Sequence, residues 1–346
     1  MKKSIKNLYL MIAACLIGTL SAQKRTENFT ISLPTKKADK SYYKTIKIID
    51  DRIDTTSLGI VQQGALNAKA RVVPTSPISD QFQSILNTLN GETTEDGTLL
   101  LYIKQLYFAE VTASFSEHGY CYFQGFIFGK NDDGTYSLID KTDTVIDHKA
   151  SDVTKETLRK GSEMLGDFIA KNISKKPETT LRYTFAQIKN YDDIEKQSIN
   201  FFSLSQLKDG VYKDYISLKN QQPQQEITNA KFYGSMPKIV RIYETVDGKE
   251  KEIKKDDIYA VVYKGEPYIY LPIENLFTKA EKRDNDYYFV GKIKSGTNSG
   301  SVLSASAMFG IMGVLIASNP AYPFEQKIDY INGGFIPIKE IQSKKY

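Results

Sequence analysis

The first part of the chain alternates polar and apolar residues in a way that predicts β-strands. Residues 42–50 (YYKTIKIID) change from polar to apolar with a period of two, which is typical of a half-buried strand. Residues 59–73 are predicted to form a second extended segment, and Pro74 and Pro77 then break the chain. The folded part of the chain is therefore expected to begin with β structure.

Three further strands are predicted in the middle of the chain. Residues 99–111 are strongly apolar, and residues 120–128 alternate between polar and apolar side chains. The polar run 131–134 (NDDG) is a turn that leads into a third strand over 136–146.

Two helices are predicted from apolar residues at spacings of three and four. The first covers 79–89 and ends at Asn90–Gly91, and the second begins at Asp152 or Thr154 and runs to about Ile173. The predicted order is β-β-α-β-β-β-α, an α+β sandwich with both helices on one face of a sheet.

The second part of the chain has a different pattern and predicts a separate, mostly β domain. We expect an α+β domain over 23–175, a polar connector over 176–200 and the β-rich domain over 201–346. Short aromatic strands fill that last domain, with turns at Asp247–Gly248 and Lys264–Gly265. A chain of this length fits two domains that each bury a core.

Residues 1–22 carry the pattern of a secretory signal peptide. Three lysines come first, an uncharged apolar run follows from Leu8 to Leu20, and small residues end it at Ala22. We therefore expect an exported bacterial protein of the periplasm or the outer membrane. Cys15 lies in a stretch similar to a lipobox, but apolar residues continue after it, so cleavage near Ala22 is favoured over lipidation.

Charge and cysteine content narrow the possible functions. The formal net charge is +5, and it falls to about +2 once the three lysines of the signal peptide are removed. Such a balanced charge argues against nucleic-acid binding. After Cys15 the chain has one cysteine, Cys121, so it cannot form a disulfide within itself.

The segment 302–318 (VLSASAMFGIMGVLIAS) contains no charged residue. As a helix it would span about 25 Å, slightly short of a bilayer crossing. Gly310 and Gly313 belong to pairs of small residues four apart, a spacing that lets helices approach closely. We favour a buried or surface-docked helix inserted in the β-rich domain, and contact with a membrane or self-association is the alternative.

No residue pattern predicts a catalytic, cofactor or metal site. His118 and His148, the two histidines of the chain, lack the spacing of a metal-binding motif. Cys121 lies in an alternating strand pattern, where a buried thiol is a poor nucleophile. The run 59–64 (GIVQQG) lacks the spacing and the Lys-Ser/Thr of a phosphate-binding loop. We therefore expect structural roles for these residues and no cofactor.

Residues 48–52 (IIDDR) form the most distinctive local pattern. A strand that ends in Asp51–Arg52, then an extended segment led by Gly59, then two helices resembles YajG-like lipoproteins and the auxiliary lipoproteins of lipid-transport ABC systems. The resemblance covers about residues 43–173. It implies a non-enzymatic envelope domain that binds partner proteins or lipid. Asp51 and Arg52 would then fix a turn by a salt bridge or by backbone hydrogen bonds.

A second resemblance lies in the β-rich part. It is carried by four short runs, which are 208–212 (KDGVY), 220–223 (NQQP), 258–261 (IYAV) and 268–270 (YIY). Together these runs resemble uncharacterised exported bacterial proteins. That resemblance implies an envelope setting and no particular activity.

The sequence as a whole favours a non-catalytic binding or assembly module of the envelope, with a protein or lipid partner. Structural or partner-contact roles are expected for Asp51, Arg52, Gly310 and Gly313. Two alternatives stay open. One is a hydrolase of envelope polymers whose carboxylate pair only the fold would assemble, and the other is a lipid-binding carrier.

Overall fold

The computed structural model describes residues 25–63, 68–113, 116–150, 153–293 and 322–341. Over these residues the chain combines helices with several sheets and is mostly β, which confirms the predicted α+β class. The predicted signal peptide and the apolar segment 302–318 lie outside the described residues. The first sheet holds seven strands, which are β1 (Thr26–Phe29), β2 (Ser41–Asp50), β3 (Gly59–Gln63), β4 (Ala68–Pro74), β5 (Thr94–Ala113), β6 (Ser116–Lys130) and β7 (Tyr136–Ala150).

Two helices interrupt these strands where the periodicity predicts them, α1 (Ile78–Leu89) and α2 (Thr154–Asn172). Two details differ from the prediction. A short strand, β1, comes before the first predicted one and pairs parallel with β4. The region 59–73 holds two strands rather than one, because β3 and β4 pair antiparallel, with Ile60 opposite Arg71.

The 20-residue strand β5 is the centre of the first sheet. It pairs antiparallel with β6 along most of its length. On its other side β2 pairs parallel with its first half, and β3 pairs parallel with it at Phe108 and Ala109. One long strand thus supports three neighbours of the first sheet.

Both faces of the first sheet are apolar and both are covered. Leu99, Leu101 and Ile103 point to the face that packs on α1 and α2, which we call the helix face. Leu100 and Tyr102 point to the other face, which we call the opposite face. Five successive residues of β5 are therefore buried, the pattern of a strand with cover on both sides.

The residues after α2 form four short helices and eleven strands over the described part of the chain. The helices are α3 (Phe185–Lys189), α4 (Tyr191–Gln197), α5 (Asn200–Ser203) and α6 (Tyr215–Lys219). The strands are β8 (Gly210–Tyr212), β9 (Asn229–Phe232), β10 (Lys238–Val246), β11 (Lys249–Glu252), β12 (Ala260–Tyr263), β13 (Glu266–Leu271), β14 (Leu276–Lys279), β15 (Glu281–Arg283), β16 (Asp286–Ile293), β17 (Tyr322–Ile328) and β18 (Phe335–Glu340).

The stretch 176–200, predicted as a polar connector, carries α3 and α4. Thr184 begins α3 with a capping box, in which its side chain accepts from the Gln187 backbone and Gln187 bonds back. Ile188 and Tyr191 pack on the opposite face of the first sheet, against Phe126 and Phe128 among others. This stretch therefore contributes to a core, and the two-domain division itself stays a prediction.

Two further sheets follow in the second part of the chain. The second sheet has the order β11-β10-β14-β13-β12-β8, with β9 added on β10, and the third has the order β15-β16-β17-β18. They share a core that includes Ile269 and Phe289. The hydroxyl of Tyr215 donates to the Tyr330 carbonyl (2.7 Å), and that of Tyr259 donates to the Gly333 carbonyl (2.8 Å). Among the described helices, none combines the length and the apolar character that a membrane crossing needs.

Gly59 meets a steric requirement at the start of β3. Its φ is +113°, and a Cβ built on it would lie 2.0 Å from the Phe108 carbonyl oxygen of β5. We expect Gly59→Ala to lower the free energy of unfolding by about 3 kcal/mol or more, because the overlap adds to the backbone strain. Chemical denaturation measures this quantity.

Gly134 provides the matched control, because its φ is +83° but a Cβ there would meet no atom within 4 Å. Gly134→Ala should cost about 1–2 kcal/mol from the backbone conformation alone. Equal losses for the two variants would show that the contact between Gly59 and Phe108 is not tight.

Candidate binding groove

A groove of about 770 Å³ lies in the second part of the chain. Its walls come from α5 and the loop that follows, from the end of α6, and from the turn between β12 and β13. The lining is mainly polar, with two leucines, two lysines and several side-chain amides among its members. Its volume lies in the range of small-molecule and peptide-segment sites.

Asp209 joins two walls of the groove. Its carboxylate oxygens accept hydrogen bonds from the backbone N–H groups of Lys264 (2.8 Å) and Gly265 (2.7 Å). Lys264 and Gly265 both have positive φ, as a two-residue hairpin turn requires, so the turn predicted there from sequence is present. The carboxylate thus holds the hairpin turn against the loop before β8.

Gln221 holds Lys208 from the other side. It is buried with a φ of +55°, its Oε1 accepts from the Lys208 backbone N–H (2.8 Å), and its Nε2 donates to the Leu218 carbonyl (2.9 Å). The Tyr212 hydroxyl donates to the Lys208 carbonyl (2.6 Å). The backbone of Lys208 is therefore fixed at both its polar groups.

The charges that face the groove are unbalanced. The carboxylate of Asp209 is occupied by backbone donors, and within the described residues neither Lys208 nor Lys264 takes part in an ion pair. The Lys264 ammonium lies 5.3 Å from the centre of the Tyr263 ring. Leu204 adds an apolar contact surface, since its side chain is 44% exposed. This combination suits a ligand with negative charge and hydrogen-bonding groups.

A partly buried ionic cluster joins the first sheet to α4, the helix that precedes the groove. The Asp51 carboxylate accepts from the Lys104 ammonium and from the Tyr102 hydroxyl, both at 2.8 Å, and Lys104 also contacts the Asp192 carboxylate of α4. Burial lowers the pKa of Lys104, but Asp192, Tyr102 and Asp51 raise it by more, so the net shift is upward. The Tyr330 hydroxyl lies 3.0 Å from a carboxylate oxygen of Asp192.

A second polar cluster joins β6 to the turn after β17. The Gln124 side chain donates to Asp329 Oδ2 (2.8 Å), and Asp329 Oδ1 accepts from the Ile331 backbone N–H (2.9 Å). Burial raises the pKa of Asp329 to about 6, although both hydrogen bonds oppose this shift. Asp143 lies 3.3 Å from the same Gln124 amide. We call these two clusters together the polar junction.

Asp143 also ties the turn after β17 to the first sheet. The Tyr122 hydroxyl donates to its Oδ1 (2.7 Å), and the Asn332 amide donates to its Oδ2 (2.9 Å). The fold therefore brings two carboxylates near one amide donor, and both serve as hydrogen-bond acceptors between elements. This pair lies outside the groove, whose lining does not include it.

The residues singled out by sequence occupy different places. Asp51 belongs to the polar junction, whereas Arg52 is buried and pairs with Asp50 through its Nε (2.7 Å) and Nη2 (2.6 Å). Arg52 also donates to the Ser57 carbonyl (2.9 Å), which fixes the loop before β3. The salt bridge of this turn is thus formed with Asp50 and not with Asp51. Gly310, Gly313 and Cys15 lie outside the described residues.

The histidines and Cys121 are held apart in different surroundings. His118 lies 3.2 Å from an Asp147 carboxylate oxygen, and His148 lies 3.1 Å from the Lys160 ammonium. Cys121 is buried in the core of the helix face, and burial raises the pKa of its thiol. In the described part of the chain, no group of three or more His, Cys, Asp or Glu side chains is placed to hold a metal ion.

Sequence reasoning assigned no role to the groove residues. Residues 208–212 were noted only for a resemblance, and 264–265 only as a turn. Their association depends on hydrogen bonds between segments about 55 residues apart, from Asp209 to the hairpin turn. The local signal is an Asp directly before a Gly-led strand, Asp209–Gly210, and it carries no information on the partner.

Comparison with known proteins does not assign a family. No family model matches the chain, and no curated protein matches it. The crystal structure of protein XCC0632 from Xanthomonas campestris, of the DUF330 family, is 6% identical and covers 49% of this chain and 99% of its own, with a TM-score of 0.29. The crystal structure of an uncharacterised protein is 10% identical and covers 44% of this chain and 97% of its own, with a TM-score of 0.24.

The chain is thus similar to uncharacterised bacterial proteins, at TM-scores that carry no argument about its own fold or function. The resemblance to YajG-like lipoproteins gains no support from these comparisons.

The raised pKa of Asp329 predicts a pH-dependent stability. Because its folded pKa of about 6 exceeds the unfolded value of 3.8, its contribution is complete below pH 4 and is lost as the pH rises through 6. We expect Asp329→Asn to remove this loss, so that the variant gains about 3 kcal/mol relative to wild type between pH 4 and pH 7. Equilibrium denaturation across this range measures the difference.

Ile331→Ala is the control in the same turn, since Ile331 packs on the core of the opposite face and does not titrate. It should lower the stability by a similar amount at both pH values. If the profile of Asp329→Asn runs parallel to that of wild type, Asp329 does not carry the pH dependence.

Proposed function

We propose that this protein is a non-catalytic binding module of the bacterial envelope, and that the groove beside α5 and α6 receives an acidic, extended segment of a partner protein. The pattern of residues 1–22 supports export, because it is the one expected of a secretory signal peptide. The groove supports the binding role. The two proposals are independent and are tested separately.

The binding role is supported by a groove whose backbone is held by hydrogen bonds and whose two lysines, Lys208 and Lys264, form no ion pair among the described residues. Asp209 and Gln221 hold the backbone of both lysine-bearing segments before any ligand arrives. A site whose groups are already ordered loses less conformational entropy when it binds. The ammonium groups of Lys208 and Lys264 are then available to carboxylates of a partner.

The remaining lining fits a peptide segment. The side-chain amides of Gln206 and Asn220 can donate to and accept from the backbone of an extended chain. Leu204 and Leu207 provide an apolar surface for a side chain between the charged positions. A hydrolase site would use a carboxylate pair, whereas the carboxylate that lines this groove, Asp209, already accepts two backbone hydrogen bonds.

Reversal of the two lysine charges tests the binding role. The probe is a set of twelve-residue synthetic peptides with alternating acidic and apolar residues, and fluorescence anisotropy measures their affinity for the mature protein. We expect the Lys208→Glu/Lys264→Glu variant to bind at least about tenfold more weakly than wild type, because two attractive contacts become repulsive.

Lys249→Glu/Lys254→Glu is the matched control, since both lysines are exposed and the change in net charge is the same. This control should bind as wild type does at physiological salt. Equal losses in both variants would mean that the peptides sense overall charge rather than the groove. No binding by wild type would reject an acidic segment as the ligand.

Fractionation of native cells tests the envelope setting. With an antibody against the mature part of the chain, we expect the protein in the periplasmic or outer-membrane fraction, shortened by about 22 residues. Replacing Leu10 and Leu16 by Asp in the apolar run should leave a full-length protein in the cytoplasm, because an export signal needs an uncharged core. A full-length wild-type protein in the cytoplasm would contradict export.

A further inference from the structure

The strand β7 leaves a long edge of the first sheet open. On one side it pairs with β6 over its whole length, from Tyr136 opposite Lys130 to Ala150 opposite Glu117. On its other side, within the described part of the chain, one isolated bridge joins Tyr136 to Tyr183. The edge from Lys141 to Ala150 therefore presents backbone N–H and C=O groups that no described strand satisfies.

The charged side chains of this edge oppose pairing with most strands but leave it open to a strand of complementary charge. Soluble proteins usually shorten an edge strand, insert a bulge or place a proline in it. The register of β7 shifts once, near Ile139, and is regular from Asp140 to Ala150, a stretch that contains no proline. A regular edge of this length is a template for another strand.

The order of charges along β7 is self-complementary in one register. If two copies pair antiparallel about a two-fold axis at Thr144, Lys141 of each copy lies opposite Asp147 of the other. Asp140 then lies opposite His148, but Asp140 already pairs with Lys171 and Lys175 and adds no attraction across the axis. Each of these pairs occurs twice, as the symmetry of an isologous interface requires.

Neighbouring registers are less favourable. An axis at Val145 would place Lys141 opposite Lys149 and Asp143 opposite Asp147, so four like-charge pairs would face each other. An axis at Ile146 would place Asp143 opposite Lys149, but the Asp143 carboxylate already accepts hydrogen bonds from Tyr122 and Asn332. The register centred on Thr144 therefore pairs opposite charges without using Asp143, which already holds the turn after β17.

We propose that two copies of this protein associate through their β7 edges, antiparallel about a two-fold axis at Thr144, and so form one continuous sheet of fourteen strands. Asp143 bonds to Tyr122 on the opposite face. Because alternate residues of a strand point to the same face, Lys141 and Asp147 lie on that face as well. Both are exposed, so a contact across the axis requires Asp147 to leave His118 but does not involve the core.

Cysteine substitution tests the register. At the proposed axis, Thr144→Cys brings two thiols of different copies opposite each other, at a Cα separation of about 4.5–5.5 Å that suits a disulfide. With copper-phenanthroline and dioxygen as the oxidant, two thiols lose two protons and two electrons to form the bond. We expect a covalent dimer on a non-reducing gel.

Thr142→Cys is the matched control, because Thr142 would lie opposite Ile146 and far from its own copy. The remaining Cys121 is buried and common to both variants. A dimer of Thr142→Cys as abundant as that of Thr144→Cys would overturn the proposed register.

Charge exchange tests the interface itself. Sedimentation equilibrium should show a wild-type dimer at 100 µM or below, and Lys141→Glu or Asp147→Lys alone should weaken it at least about tenfold. The double variant, Lys141→Glu with Asp147→Lys, restores opposite charges across the axis and should return to within about threefold of wild type. A monomeric wild type, or a double variant as weak as the single ones, would overturn the proposal.

Discussion

The first sheet has apolar side chains on both faces of the same strands, and the rest of the structure depends on this constraint. Leu99, Leu100, Leu101, Tyr102 and Ile103 of β5 are all buried, and they alternate between the two faces. A sheet of this kind is stable only when both faces are removed from water. The helices α1 and α2 cover one face, so another part of the chain has to cover the other.

That cover comes from α3, α4 and the turn after β17. Ile188 and Tyr191 supply its apolar part, and the polar junction supplies its polar part. Ionic groups removed from water add less to the free energy of unfolding than apolar packing does. An arrangement that leaves one of them unpaired is strongly destabilised, because its charge is then not compensated. The contacts of Lys104 with Asp51 and Asp192 therefore select one position of α4 on the sheet.

The position of α4 determines where the groove is built. The helix α5 begins three residues after α4 ends and contributes Asn200 to the lining. The Asn200 amide donates to the Asn220 carbonyl at the end of α6 (3.2 Å), so both helices are held together at the groove. The junction on the first sheet and the groove in the second part of the chain are thus linked through one short stretch.

Sequence predicted the elements whose periodicity extends over many residues and missed those formed by contacts between distant segments. The strands β5, β6 and β7 and the helices α1 and α2 have long, regular patterns. The helices α3 and α4, of five and seven residues, are too short to show a helical period. Their few apolar residues lie among polar ones, so the sequence predicts a polar connector there. The pairing of Asp51 with Lys104, and of Asp209 with the turn at Lys264, joins residues about 53 and 55 positions apart. Local patterns do not encode such pairings.

We expect the first sheet and its cover to form one cooperative unit. Native-state hydrogen exchange at increasing denaturant, read by mass spectrometry, tests it most directly, because each peptide reports the free energy of its own opening. We expect the amides of β6, around Phe126, and those of β17, around Phe324, to converge on one opening free energy as denaturant is added. If β17 opened fully at a denaturant concentration at which β6 stayed protected, the two parts would fold independently and would not be one cooperative unit.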